Sequence, residues 1–481
     1  MVVGGPGNIR YSPGSGRSMK QIAVDVVAQI MGKVFSSLFG LLAITQICRY
    51  LTVEDFGGYT LAFSLLAFFY PVVDMGLNTI AAREASRDPG KVHSLLSEVI
   101  CLKVILAVVG FFLILGLVNM LGYPLAIRHL ILVASFSLFN TVLGSFEVIL
   151  IVSHRLFWLA LSQVFSSIVF LVFIYGVMAL GMRTSALIAV QIFSVTLSYV
   201  IVLLATRGSF RPTMPTRPGL AAIFKQSLPQ GIASLVTAYY FNIDVIMLSK
   251  LMDESAVAYY GSACRLLAFM IFIPHAMMMS LFPLLTRARL QGKKDFSAIF
   301  TFSFYLLMLI AIPVAVWATL YSQQIIELVY TSTYHPAVSA FRLLVWAGVG
   351  IFASHLAGYT LVVADRQKYG MLISAFALVA NVSLNFWLIP AYGIDGAAVA
   401  TVITEFAVAG LGFALLVYFE RLFPFSWKLT RVLLITLVTL LLAEVLREMN
   451  WLVASGLFVV FLGSVVAYFS LKQDRAIFAH I

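Results

Sequence analysis

Two apolar stretches of the chain carry polar side chains at helical spacing. Between 225 and 251, Gln226, Gln230, Ser234, Thr237 and Asp244 follow one another at steps of four, four, three and seven. That spacing places them on one helical face. Arg265 sits in the apolar run that returns from this stretch. Near the start of the chain, Asp25, Gln29, Lys33, Ser36 and Gly40 step by four, four, three and four. A charged group in the middle of a membrane span costs about 2.5–3.5 kcal/mol on insertion scales, so it normally faces protein or a wet cavity. These faces read as walls of a polar, membrane-buried cavity. The candidate site residues are Lys33, Arg265, Gln29, Gln230, Ser234 and Thr237, with Asp25 and Asp244 as candidates for ion coupling or a structural ion pair.

Both basic residues have a purely structural alternative. Lys33 lies about 16 Å into its helix, too deep for its stem to reach the interface. It either lines the cavity or pairs with a buried acid such as Glu98 or Glu147. Arg265 and Asp244 lie at similar depth, so a clamp across the hairpin stands beside a ligand contact. Lys103, Glu405, His275 and His355 read as packing contacts. Asp74, Glu98 and Glu147 fall near the ends of their spans, where water is close.

The elements that must position these residues are membrane helices. Of 481 residues, 62% are hydrophobic and 11% charged, with a mean hydropathy of +1.01. A water-facing surface needs far more charge. About fourteen apolar segments are long enough to cross a bilayer, which takes roughly 20 residues each. The fold class expected is an all-α polytopic membrane protein, two six-helix lobes in parallel pseudo-repeat plus a C-terminal helix pair.

Charge orients the spans. Arg83, Arg87, Arg155, Arg207, Arg217, Arg287, Lys293, Lys294, Arg366, Lys368, Arg421 and Lys428 fall in one set of connections. The opposite set carries Arg49, Arg128, Arg183, Lys250 and Arg447. The rich side is expected to be cytoplasmic, and with it both termini. This distribution in short loops also excludes nucleic acid as the partner of the +11 net charge.

Shifting the chain by 200 residues matches Leu51 with Leu251, Glu54 with Glu254, Tyr59 with Tyr259, Leu66 with Leu266 and Phe69 with Phe269. The matches fall at equivalent turns, so the halves share orientation, with the site expected at the repeat interface. The domain boundaries expected are a disordered cytoplasmic tail over 1–20, a six-helix lobe over 21–206 and a linker over 207–223. A second lobe follows over 224–420, then an extra helix pair with a short cytoplasmic tail over 421–481. The tail holds no signal peptide.

Cys48, Cys101 and Cys264 have neither disulfide nor ligand spacing. No metal-protease, nucleotide-binding or paired-aspartate motif occurs, and no loop is long enough for a catalytic domain. The expectation is a protein without cofactor or metal, and not an enzyme.

The segments RYLTVEDFGGYTLAFSL, DMGLNTIAAREASRD, LPQGIASLVTAYYFNIDVIMLSKLMDESAVAYYGSACRLL and NFWLIPAYGIDGAAVATVITE resemble the polysaccharide transporter family. Its superfamily holds multidrug, oligosaccharidyl-lipid and polysaccharide exporters, O-antigen flippases among them. The resemblance runs from roughly 20 to 470. It implies two lobes around a central cavity, working by alternating access in the cytoplasmic membrane for surface polysaccharide (O-antigen or exopolysaccharide) biosynthesis. Arg265, in Ala-Cys-Arg-Leu, resembles an essential arginine of the lipid II flippase branch, and Lys33 resembles a cavity arginine there. The branch's further cavity arginines have no match, which argues against lipid II as cargo.

The resemblance implies that Lys33 and Arg265 neutralise the diphosphate of an undecaprenyl-diphosphate-type oligosaccharide. Gln29, Gln230, Ser234 and Thr237 would hydrogen-bond its sugars. The partners implied are the lipid-linked oligosaccharide and membrane lipid, with a polysaccharide polymerase and glycosyltransferases beside them. An ion-coupled multidrug exporter, which would want an acidic cavity, and a lipid II flippase are the alternatives within the superfamily.

Overall fold

The computed structural model describes residues 19–424, 429–446 and 450–477. The N-terminal tail therefore lies almost wholly outside it, as do Lys428 and Arg447. Among the described residues every regular element is helical. Twelve helices are long and apolar enough to cross a membrane. Two features raise this to the fourteen crossings expected. The helix Gln367–Glu420 has 54 residues, about 81 Å at 1.5 Å per residue, far beyond a hydrocarbon core of about 30 Å. It breaks at Gly393, whose φ of 59° and ψ of −134° suit only a residue without Cβ. The apolar helix Leu429–Val445 has 17 residues, the lower limit for a crossing.

The chain divides into two compact units, residues 1–242 and 243–481. In the first unit, α1 (Met19–Tyr50) is followed by α2 (Val53–Asp74), α3 (Leu77–Arg87) and α4 (Val92–Met120). The fourth apolar segment, 125–152 in sequence, is a broken helix. It runs α5 (Leu125–Ser135), a 3₁₀ turn Phe136–Phe139, α6 (Asn140–Leu143), a second 3₁₀ turn Gly144–Phe146, then α7 (Glu147–Val152). Then come α8 (Leu156–Ala179), α9 (Thr184–Thr206) and α10 (Arg217–Leu251); the division falls inside α10.

The apolar face of α3 (Leu77, Ile80, Ala81, Ala85) packs on Val99 of α4 and on Val148 and Val152 of α7. Ahead of α10 the polar linker lies along the start of α4. The Arg211 N–H donates to His93 Nδ1 (3.3 Å) and the Thr213 N–H to Ser97 Oγ (3.0 Å). Thr216 caps α10 by accepting from the Gly219 N–H (3.2 Å). Pro218 sits in the first turn, where a missing N–H costs nothing.

The second unit holds α11 (Glu254–Gln291), α12 (Lys293–Leu320), α13 (Ser322–Val329), α14 (Ala337–Val363), the broken α15 (Gln367–Glu420), α16 (Leu429–Val445) and α17 (Trp451–Ile477). α14 packs against α11, α12 and α15 and, with α12, is the most enclosed span. The outer helices do the reverse: Phe112, Leu113 and Val172 are exposed, a liability in water but natural against lipid.

The extra pair docks on α12. Trp317 stacks on Phe458 of α17 with centroids 4.5 Å apart and planes at 2°, and its indole N–H donates to Ser455 Oγ (3.1 Å). Lipid tails refill what packing leaves, so the loss on truncation is smaller than in a soluble core. Trp317→Ala should cost about 1–2 kcal/mol, the worth of one aromatic pair and one membrane hydrogen bond, whereas Trp317→Phe keeps most of it. The measurement is the midpoint of SDS-induced unfolding by circular dichroism; equal midpoints for wild type and Trp317→Ala would contradict the docking.

Candidate functional site

The polar face expected on α10 is present but divided by exposure. Gln226, Gln230 and Thr237 are exposed, Ser234 is half-buried and Asp244 is buried. Polar side chains standing exposed on a membrane-spanning helix require water or a polar passenger beside them. Gln230 touches the break between α2 and α3. A Cβ added to Gly76 would come within 2.8 Å of Gln230 Cβ, so glycine is required there by space as well as by its φ of 72°.

On α1, Lys33 is exposed and Gln29 half-buried; the side chain of Asp25 lies outside the described residues. The neighbouring face of α1 is spent on α8. There Gly32 packs against Ala160, and Ser36 shares a hydrogen bond with Ser167 (2.6 Å). Among the described residues Lys33 pairs with neither acid offered for it. Glu98, near the start of α4, is buried beneath the linker and accepts from Thr216 Oγ1 (3.5 Å). Glu147 instead lies within electrostatic reach of Lys103. Arg265 is half-buried on α11.

Asp244 has a setting that spacing alone did not supply. It is 6% exposed and takes neutral donors from two other helices. Tyr260 Oη donates to Oδ2 (2.6 Å), Thr401 Oγ1 to Oδ2 (3.0 Å) and Asn385 Nδ2 to Oδ1 (2.7 Å). The donors described to this carboxylate are thus neutral side chains, beside which the hairpin clamp with Arg265 and a ligand contact remain the two readings of the basic residue. Asn385 also donates to Asn381 Oδ1 (2.8 Å), and Asn381 to Thr404 Oγ1 (3.4 Å). The signal was in the sequence: Asn381 and Asn385 stand four apart inside an apolar span, with Thr401, Thr404 and Glu405 on the next. Amides at that spacing share a face, and lipid gives them no partner.

The second cluster missed lies in the first unit. Lys103, 1% exposed, forms an ion pair with Asp74 Oδ1 (2.6 Å). It also donates to Asn78 Oδ1 (2.9 Å) and to the Thr141 carbonyl (3.2 Å). Lys103 is thus the satisfied contact expected of it, but within a larger charged group.

Removing a partner from a buried carboxylate leaves it paying its desolvation, about 1–3 kcal/mol for a lost hydrogen bond. Asn385→Ala should therefore destabilise the second unit by that amount. Adding Asp244→Ala to it should restore part of the loss. Unfolding midpoints of the two single variants and the double variant decide it, and strictly additive losses would show that the residues do not act together.

The family model described as polysaccharide biosynthesis protein matches residues 22–289, and the MatE model matches residues 229–387. Two Haloferax volcanii proteins are similar. A probable flippase, AglR, is 27% identical over 321 residues, covering 61% of this chain and 63% of that protein. A probable low-salt glycan biosynthesis flippase, Agl15, is 25% identical over 197 residues, covering 40% and 41%. A putative O-antigen transporter of Shigella flexneri is 24% identical over 172 residues, covering 35% and 40%. These matches therefore span less than two thirds of each relative's own length.

Among solved structures, the lipid II flippase MurJ in an inward closed conformation superimposes with a TM-score of 0.77 at 17% identity, covering 93% of this chain and 99% of that one. An inward-facing multidrug resistance MATE transporter gives 0.65 at 17% identity, covering 82% and 94%. At such identities the likeness is one of fold. With the matched stretch running through both polar helix faces and more than half the chain, this protein belongs to the polysaccharide biosynthesis protein family.

Proposed function

We propose that the protein is a flippase. It moves an undecaprenyl-diphosphate-type, lipid-linked oligosaccharide across the cytoplasmic membrane by alternating access, for surface polysaccharide biosynthesis. The observation that carries this reading is the α10 face, where Gln226, Gln230 and Thr237 stand exposed on a membrane-spanning helix. A carrier lipid needs a shielded polar route only for its head, since its tail remains in lipid. The relatives described as flippases and as an O-antigen transporter support the same class.

In this reading the exposed Lys33 and the half-buried Arg265 neutralise the diphosphate. Gln29, Gln230, Ser234 and Thr237 hydrogen-bond the sugars. Membrane lipid surrounds the protein, both termini are cytoplasmic, and glycosyltransferases and a polymerase act before and after it. The chemistry is transport rather than catalysis.

Asp244 is the carboxylate assigned to ion coupling. Its surroundings are oxygen-rich and neutral, and Asn385 Oδ1, fully buried beside it, has no hydrogen-bond partner among the described residues. A proton on Asp244, or a hard cation beside it, is the occupant that this oxygen-rich setting suits. The expectation is that Asp244→Asn abolishes the dependence of transport on its ion gradient.

Deleting the gene should reduce surface polysaccharide and leave lipid-linked repeat units on the cytoplasmic leaflet. Lys33→Ala and Arg265→Ala should each lose export at normal protein level. Lys33→Arg should be tolerated and Arg265→Lys partly active, because the charge survives. Full export by a well-expressed Lys33→Ala, Arg265→Ala double variant would refute the diphosphate role. Unchanged polysaccharide together with sensitivity to cationic dyes would favour a multidrug exporter, the reading that the MatE match over 229–387 makes the natural rival.

A further inference from the structure

The helices of the first unit break at two places, and one buried ammonium joins both breaks. The first lies between α2 and α3, where Met75 (φ 46°) and Gly76 (φ 72°) are both left-handed. A non-glycine residue there costs about 1–2 kcal/mol and persists only when its surroundings over-determine it. The second is the pair of 3₁₀ turns interrupting the fourth span at 136–139 and 144–146.

Lys103 reaches both from α4. Its three N–H bonds go to Asp74 at the end of α2, to Asn78 on the first turn of α3, and to the Thr141 carbonyl of α6. Asp74 Oδ2 accepts from the Gly76 N–H (3.2 Å), and Asn78 Nδ2 donates to the Gly144 carbonyl (3.2 Å). One carboxylate thus holds the ammonium and the strained turn together.

We propose that Lys103 is a positioning residue, the latch of a hinge at Met75–Gly76, and that Glu147 is the second carboxylate able to draw it off Asp74. Glu147 opens α7, which packs on α3. It lies within electrostatic reach of Lys103 and Asp74. The other titratable groups facing the cluster are Tyr70 of α2, which donates to Ser137 (2.7 Å), and Tyr199 of α9. Asp74 holds the ammonium in an ion pair, and Glu147 stands nearby as a second carboxylate that, when ionised, would leave one negative charge unmatched inside the membrane.

When Glu147 holds a proton, Asp74 keeps the ammonium and the bend stays closed. When Glu147 loses that proton, it competes for the ammonium, the turn at Met75–Gly76 loses its anchor, and α2 and α3 relax toward one continuous helix. Asp74 is 38% exposed against 1% for Lys103, so the acid can take water in exchange while the ammonium cannot. The inference concerns the first unit alone and holds whatever the protein carries.

The test is a pulsed spin-label distance between Asp55→Cys on α2 and Ser86→Cys on α3, in the full chain with Cys48, Cys101 and Cys264 replaced. A straight helix would separate these Cα atoms by about 46 Å at 1.5 Å per residue; the bent form is shorter. Raising the pH should increase the share of the long form, by at most about tenfold per pH unit for one proton. Glu147→Gln, which keeps shape and removes only the charge, should hold the short form at every pH. Asp74→Asn and Lys103→Met should show the long form at every pH. A single wild-type distance across the pH range, or an unaltered pH response in Glu147→Gln, would overturn the proposal. Glu147→Gln by itself decides between these outcomes if Lys103→Met fails to fold.

Discussion

The hydrocarbon core holds no water, so every polar group placed there must find its partner within the protein. That constraint shapes this chain more than any single contact. Serine and threonine side chains return to carbonyls of the preceding turn, as Thr404 does to Ala400 (2.7 Å) and Ser303 to Ile299 (2.8 Å). The larger groups cannot be met on their own helix. Asp244 and Lys103 draw on donors and acceptors from several elements at once, and those elements are thereby fixed against one another.

The two clusters answer the same constraint differently. Asp244 is surrounded by neutral hydroxyl and amide groups that leave Asn385 Oδ1 over. Its described partners are dipoles rather than a formal positive charge. Lys103 is matched by a formal charge and saturated by three acceptors. Breaking a buried pair by removing one partner costs about 3–5 kcal/mol, so such a group holds its surroundings firmly. It also lies where the helices are irregular, because only interrupted helices offer carbonyls such as those of Thr141 and Gly144 to a neighbour.

The exposed polar residues tell a complementary story. Gln226, Gln230 and Lys33 stand exposed in membrane spans, which is costly unless something polar passes them. The chain thus divides its intramembrane polar groups between those enclosed by neighbouring helices and those left exposed on a helix face.

Much of this was legible in the residues alone. The crossings follow from apolar runs of sufficient length, since hydropathy acts locally. The polar faces of α1 and α10 follow from spacing, which a helix converts directly into direction. What spacing cannot say is which face a neighbouring helix covers. Tertiary packing decided that Asp244 is enclosed while Gln230, on the same stripe, is exposed. It also decided that Lys103 meets Asp74, 29 residues away in sequence, and that Asn385 meets Asp244, 141 residues away. It broke the fourth span into 3₁₀ turns that an unbroken apolar run concealed. Partner choice across helices depends on their rotation and register, and those are set by the whole bundle rather than by any one segment.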